Sequence, residues 1–566
     1  MSSATPSRRL PLAGALRLGR PSEIWFKPAL SVIVAVAPPN LTLLALGRLD
    51  LAMYTMAGSL CALYAHNRPY AARARTLALV VAGMLAGLAV ALVAASLTGS
   101  AVVLVAVGAL VAAVQKALCD ATRVGPPGNV VLTFISSAAL FVPQTLAQVP
   151  GHLALAAAAG VWAWAVGMAP GLLRPHGPER RATAAALNAA AAYAAAHRPG
   201  DGAAEPTPGR PRAAAEHTLG RARAAVALHT AWQTLLSAGR RSATRRALER
   251  LLVRAEVALA APADADPERL RDWARALRGT GAVPSTGAAV PDTEGLPGRS
   301  ATTPAAPERQ PLWPRLRPLA PLAARTALGC ALAGYASLAL GIGRPYWALV
   351  TAAALYQANL TLTWSRGVQR VVGNLAGVLF FAALAPLAHL GPAALVLCCL
   401  ALNFGAEALI GRNYWLGSVC VTPMALLITE FTGFQEPGTL ITERVVDTLV
   451  GALVGLAAAL LVADRGAGDR VEGALAGLEH ARERAVRLLA EPRPAPAAVD
   501  AAHRSLTAAL VDLRAVFDTA CGERVRRALP ADRVVLAEHA GHRTLAATTR
   551  HRAARPDHRT TEGVRP

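Results

Sequence analysis

Residues 76–118 read TLALVVAGMLAGLAVALVAASLTGSAVVLVAVGALVAAVQKAL, and Lys116 is the one charge among them. The run divides at Thr98-Gly99-Ser100 into two apolar segments of about 20 residues, the length at which a helix crosses the ~30 Å hydrocarbon core of a bilayer. The same texture fills two blocks, about residues 28–173 and 319–463. In the first, helices are expected near 28–47, 50–66, 76–97, 100–118, 127–147 and 151–173. In the second they are expected near 319–341, 346–363, 369–389, 392–410, 413–430 and 444–463. The expected fold is therefore all-α: a polytopic membrane protein of about twelve transmembrane helices in two six-helix blocks, with helical regions outside the membrane.

Composition excludes a water-soluble protein. Of 566 residues, 54% are hydrophobic and only 16% charged, against roughly 45–50% and about 25% in a soluble domain. The net charge of +22 comes almost wholly from arginine, since Lys27 and Lys116 are the only lysines. Basic clusters beside apolar helices are topology signals and contacts to anionic lipid, so a lipid bilayer and not nucleic acid is the expected partner. Seven cysteines make no C-x-x-C, and the loose His539, His542, His551, His558 tail reads as a solvated basic tail rather than a metal site. No metal site and no cofactor are expected.

Arginine sets the orientation. Arg8, Arg9, Arg17, Arg20 and Lys27 precede the first helix, and Arg68, Arg73 and Arg75 separate the second from the third, with Lys116 and Arg123 on the same side. In the second block, Arg309, Arg315, Arg317, Arg366, Arg370, Arg412, Arg465 and Arg470 fall on one side, against Arg344 and Arg444 on the other. The positive-inside rule then predicts a multi-pass protein of the cytoplasmic membrane with both termini cytoplasmic.

The blocks resemble each other. Gly47-Arg48 and Gly343-Arg344 open the second helix of each, and a basic loop feeds a G-x-x-x-G helix in both: Gly83 and Gly87, then Gly373 and Gly377. Such glycines let helices approach closely. Six helices per block, an even number, make the repeat parallel.

The expected organisation is a basic cytoplasmic N-terminus (1–27), the first block (28–173), a cytoplasmic helical region (174–318) with a flexible linker at 280–312, the second block (319–463), and a cytoplasmic helical C-terminal region with a basic tail (464–566). Leu235, Leu236, Leu248, Leu251, Leu252 and Val257 fall at spacings compatible with one helical face, and the two helical regions are expected to pack together.

Enzyme motifs are absent. Neither lysine stands in a Gly-Lys-Ser/Thr loop, and there is no H-E-x-x-H, no G-x-S-x-G and no dinucleotide fingerprint, so no enzyme activity is expected. Ionisable residues inside apolar helices are the stronger lead, because such positions are costly and face protein or water-filled cavities. Glu407 and Asp447 are the candidate coupling or pathway carboxylates; the plain alternatives are that Glu407 reaches Arg412 and that Asp447 pairs with Arg444 at i, i+3. Arg344, Arg366, Arg370 and Arg444 are candidate anion-attracting groups, or simply topology signals. Pro38-Pro39-Asn40 should break or kink the first helix, and Tyr356-Gln357-Ala358-Asn359 is a second candidate break where free backbone groups could meet a substrate.

The stretch Gly343-Arg344-Pro345-Tyr346-Trp347-Ala348-Leu349-Val350-Thr351, then Arg366, Arg370 and Gly373 to Gly377, then Arg444-Val445-Val446-Asp447-Thr448-Leu449-Val450-Gly451, resembles the fusaric acid resistance protein-like (FUSC) superfamily. That superfamily includes bacterial aromatic carboxylic acid exporters and is related to plant aluminium-activated malate transporters. The resemblance covers about residues 319–463; the first block keeps the architecture without the Tyr-Trp pair or the Arg-x-x-Asp. It implies an exporter of small organic anions such as aromatic carboxylates, acting alone, as a homo-oligomer or with a periplasmic adaptor. A passive anion channel and a membrane scaffold or sensor remain as alternatives.

Overall fold

The computed structural model describes residues 12–19, 25–196, 211–238, 242–285, 316–462, 466–523 and 529–553, and all regular structure among them is helical. Most of the linker expected at 280–312 lies outside the described residues, as do Arg8, Arg9, Arg20, Arg309, Arg315, Arg465 and His558.

The first block comprises α1 (Phe26–Ala45), α2 (Leu49–Leu63, with 3-10 turns at both ends), α3 (Tyr70–Leu97), α4 (Ala101–Ala121), α5 (Val130–Ala139) and α6 (Val149–Met168). Outside it stand α7 (Gly177–Ala195), α8 (Pro211–Ser237), α9 (Ala243–Ala260) and α10 (Pro267–Arg278). The second block comprises α11 (Ala320–Ala339), α12 (Tyr346–Leu355), α13 (Leu360–Ala388), α14 (Pro392–Ile410), α15 (Tyr414–Thr429) and α16 (Pro437–Leu461). Three further helices follow: α17 (Ala467–Ala490), α18 (Pro496–Cys521) and α19 (Ala531–Ala553).

Among the described residues, nine helices are long and apolar enough to cross a membrane, and three of the expected spans are shorter: α2, α5 and α12. The ten residues of α12 rise about 15 Å, half of a bilayer core. So short a helix is tolerable at membrane depth only where protein covers its ends. All ten residues of α12 are buried, and it packs on α11, α16, α4 and α5.

The same helix pairs pack in both blocks: α2 on α6 and α12 on α16, α3 on α5 and α13 on α15, α3 on α6 and α13 on α16. The blocks join through α4 on α11 and α1 on α14, two contacts that exchange when the blocks are exchanged. Glycines set the closest approaches. A Cβ on Gly58 of α2 would lie 2.2 Å from the Ala156 carbonyl and 2.4 Å from the Gly160 nitrogen on α6, both backbone atoms that cannot yield. Gly58→Ala is therefore expected to cost about 1–3 kcal/mol and to lower the melting temperature of the detergent-purified protein; an unchanged melting temperature would contradict this packing.

The proline pair does not break α1, which runs on through Pro38 and Pro39. Pro38 lacks the N–H that would bond the carbonyl four residues earlier, at Val34. The Trp162 indole N–H on α6 bonds that carbonyl instead, at 3.0 Å, so the freed acceptor is satisfied by a neighbouring helix.

The two outer helical regions each have an apolar core, with Leu187, Leu235, Leu251, Leu252 and Leu270 in α7–α10 and Val471, Leu478, Leu506 and Leu513 in α17–α19. They meet around Glu256, which accepts from the Trp232 indole at 2.7 Å and lies 3.4 Å from His503 Nε2. Arg221 also bonds the His542 carbonyl at 3.5 Å. Burial first, then the nearby Arg221 and His539, pull the His542 imidazole down from its ordinary range to about 4. A histidine lowered on folding stabilises the packed form above its unfolded pKa of about 6.5, and that contribution is lost as pH falls through about 4. Burial raises Glu538 on the same helix, which works in the opposite sense. His542→Gln isolates the first effect: the acid midpoint for loss of α19 packing, read by pH-resolved hydrogen exchange, should move to lower pH, and an unmoved midpoint would contradict it.

Candidate functional site

On α16, Arg444, Asp447, Thr448 and Gly451 stand at i, i+3, i+4 and i+7, and therefore on one face. On α13, Arg370, Gly373, Asn374 and Gly377 repeat that spacing. On α15, Tyr414, Ser418 and Thr422 stand a turn apart. These three stripes turn towards one another. Gly373 and Gly377 have no room for a Cβ against Ser418, the Trp415 carbonyl, Thr422 and the Val419 carbonyl, so α13 and α15 lie nearly backbone to backbone.

A polar seam results, running along the second block. Arg370 Nη1 donates to the Tyr414 hydroxyl at 2.9 Å, and the Arg366 guanidinium lies 3.9 Å from the centre of the same ring. At mid-helix, Thr422 donates to Asn374 Oδ1 at 2.8 Å and Asn374 Nδ2 donates to Thr448 at 3.0 Å. Beyond these, Ser337 of α11 donates to Asp447 Oδ1 at 2.6 Å. Arg344 closes the far end, bonded to Glu443 and Gln435.

Arg444 is the exceptional member. Its side chain is among the largest fully buried ones in the chain, at 1% exposure. The guanidinium lies 4.1 Å from the centre of the Trp347 ring, a cation–π arrangement. Among the described residues its Nε and Nη1 have no hydrogen-bond partner, and neither has Asp447 Oδ2. A buried guanidinium with unmet donors is costly unless something pairs with it. Aromatic rings wall the place: Tyr346 lies 4.8 Å from Trp347, Phe134 of α5 lies 5.8 Å from Trp347, and Phe141 just beyond α5 lies 5.8 Å from Tyr346. The first block thus supplies part of the wall.

Several sequence expectations shift. Arg444 was expected at the outer boundary, but α16 begins at Pro437, which places Arg444 about two turns inside the helix. Asp447 bonds Ser337 and makes no ion pair with Arg444 among the described residues. Arg366 and Arg370 belong to α13, not to a loop before it, because that helix starts at Leu360, capped by the Asn359 side chain. The Tyr356–Asn359 stretch separates α12 from α13 rather than interrupting one helix. Glu407 stands apart from the seam, half-buried on α14 and electrostatically close to Tyr64 of the first block. Sequence reasoning missed Ser337, Asn374, Tyr414, Thr422, Phe134 and Phe141. The one available signal was Asn374, directly after Gly373 in the glycine frame.

That frame also separates the halves. Matching Gly83 and Gly87 with Gly373 and Gly377 sets Val80 and Met84 where Arg370 and Asn374 stand. The buried hydrogen bonds joining Gln115, Ser136, Thr133 and Asn129 between α4 and α5 involve only uncharged side chains.

Residues 331–458 match the family model described as "Fusaric acid resistance protein-like". Every hydrogen-bonded member of the seam, and Trp347 with it, falls in that range. Over these residues the second block is similar to the fusaric acid resistance protein-like family. A curated relative, "Uncharacterized membrane protein YvaC" of Bacillus subtilis (strain 168), is 29% identical over 224 residues. That match covers 39% of this chain and about a third of the relative's length (34%). No solved structure matches.

Proposed function

We propose that this membrane protein transports small organic anions, aromatic carboxylates foremost, outward across the cytoplasmic membrane along the seam of its second block. The carrying observation is Arg444: fully buried, with unmet N–H donors and an aromatic wall beside it. A carboxylate would satisfy the donors, as guanidinium–carboxylate pairs do. An aromatic ring on that carboxylate would lie against Trp347, Tyr346 and Phe134. Arg366 and Arg370 would attract the anion at the cytoplasmic end, and Arg344 would stand at the exit. An inside-negative potential favours outward movement of an anion by about 2.3 kcal/mol per charge per 100 mV.

The test is efflux of labelled benzoate from liposomes holding the purified full-length protein, under an inside-negative potential. Efflux several-fold above protein-free liposomes is expected, and equal rates would sink the reading in favour of a scaffold. Trp347→Leu should lower benzoate efflux about tenfold while leaving acetate efflux little changed; an equal loss for both anions would contradict the ring-stacking role. Single-channel anion current, ohmic in voltage, would instead assign a channel.

A further inference from the structure

The turn that ends α18 reaches back into the second block. The Gly522 carbonyl accepts from both the backbone N–H and the hydroxyl of Thr361, each at 3.1 Å. Gly522 sits so close that a Cβ there would lie 2.3–2.5 Å from the Asn359 side chain, the group that caps α13. The next residue, Glu523, receives both terminal nitrogens of Arg325 at 3.0 and 3.4 Å. The two side chains are only 4% and 3% exposed. Arg325 Nε also bonds the Val462 carbonyl, just past the end of α16.

Two residues of the tail therefore hold the ends of three helices: the start of α11 through Arg325, the start of α13 through Asn359 and Thr361, and the end of α16 through the shared bond to Val462. These are helices of the seam, gripped at the end that carries Arg366 and Arg370. A buried ion pair adds little net stability over apolar packing, yet losing one partner strands the other charge. Such a pair suits a contact that must exchange partners, because Arg325 would remain paired if another carboxylate replaced Glu523.

We propose that the Gly522–Glu523 turn is the gate of the seam at this end, and that Glu523 is a tethered carboxylate holding Arg325 until an entering organic anion displaces it. The proposal rests on the transport reading of the seam. With the turn seated, the ends of α11, α13 and α16 stay together and the seam is shut; with Arg325 transferred to the anion, the turn lifts and the ends part.

The test reads access directly. In a full-length Cys521→Ser background, Ser418→Cys places a nearly isosteric thiol in the buried seam. Its modification by the charged, impermeant reagent 2-sulfonatoethyl methanethiosulfonate is timed in vesicles that expose the gate end. Glu523→Gln removes the charge and Gly522→Ala strikes Asn359 without touching the ion pair. Each is expected to speed modification at least tenfold, and millimolar benzoate is expected to speed it in the parent. Unchanged rates in both variants would overturn the gate. Faster modification in the variants without any effect of benzoate would overturn the displacement step. Benzoate efflux from liposomes is measured alongside: its absence in every form would defeat the transport reading, while the labelling rates still decide whether the turn shuts the seam.

Discussion

Arg444→Gln is expected to reduce benzoate efflux more than a hundredfold without destabilising the protein. Leaving a buried carboxylate without its cationic partner costs about 3–5 kcal/mol, and each 1.4 kcal/mol is tenfold in affinity. In the resting protein the balance is opposite, because Arg444 is a buried cation with unmet donors. Glutamine removes that desolvation cost, so the melting temperature should hold or rise. This pairing separates a binding role from a structural one: a structural arginine would lose melting temperature along with flux. Arg444→Lys should be intermediate, since an ammonium cannot lie flat on the Trp347 ring and offers no planar fork. Wild-type efflux by the Gln variant would remove the central support for the proposed function.

Asp447→Asn carries the second large effect. The carboxyl is fully buried, one oxygen bonded to Ser337 and the other without a partner among the described residues, three residues from Arg444. A group so placed can take up or release a proton as an anion arrives beside it. Asparagine keeps the acceptor for Ser337 and removes the titration. Efflux by Asp447→Asn should lose its pH dependence while the protein remains folded; efflux still tracking pH as in the parent would rule out proton coupling at this residue. Glu407 offers the contrast, because it lies on α14 away from the seam, and Glu407→Gln should leave the pH profile in place.

Much of the architecture was legible because hydrocarbon thickness and helical rise are fixed quantities, and glycine spacing survives in both halves. The errors share one cause. In sequence an apolar run stops at its first charge, which puts Arg370 and Arg444 at loop or boundary positions, although their helices begin ten and seven residues earlier. Depth decided the matter, and depth depends on which helices surround a residue. Asn374, Thr422 and Ser337 escaped notice because a single amide or hydroxyl hardly alters a window of leucine and alanine. The helix continues through the proline pair for a reason equally remote in sequence: the indole that takes up the Val34 carbonyl lies 128 residues away.

The meeting of the two outer helical regions at Glu256, Trp232 and His503 has a mechanical meaning. One region continues the chain from the first block and the other from the second, so the halves are tied at two levels, once through α1–α14 and α4–α11 and again outside. Rocking one half against the other would have to shear both ties. If the seam transports an anion as proposed, stiffness between the halves would direct motion into the half that owns the seam, where α13, α15 and α16 meet at close glycine contacts. On the proposed transport reading, the duplicated bundle would divide into a stator, the first block, and a moving part, the second.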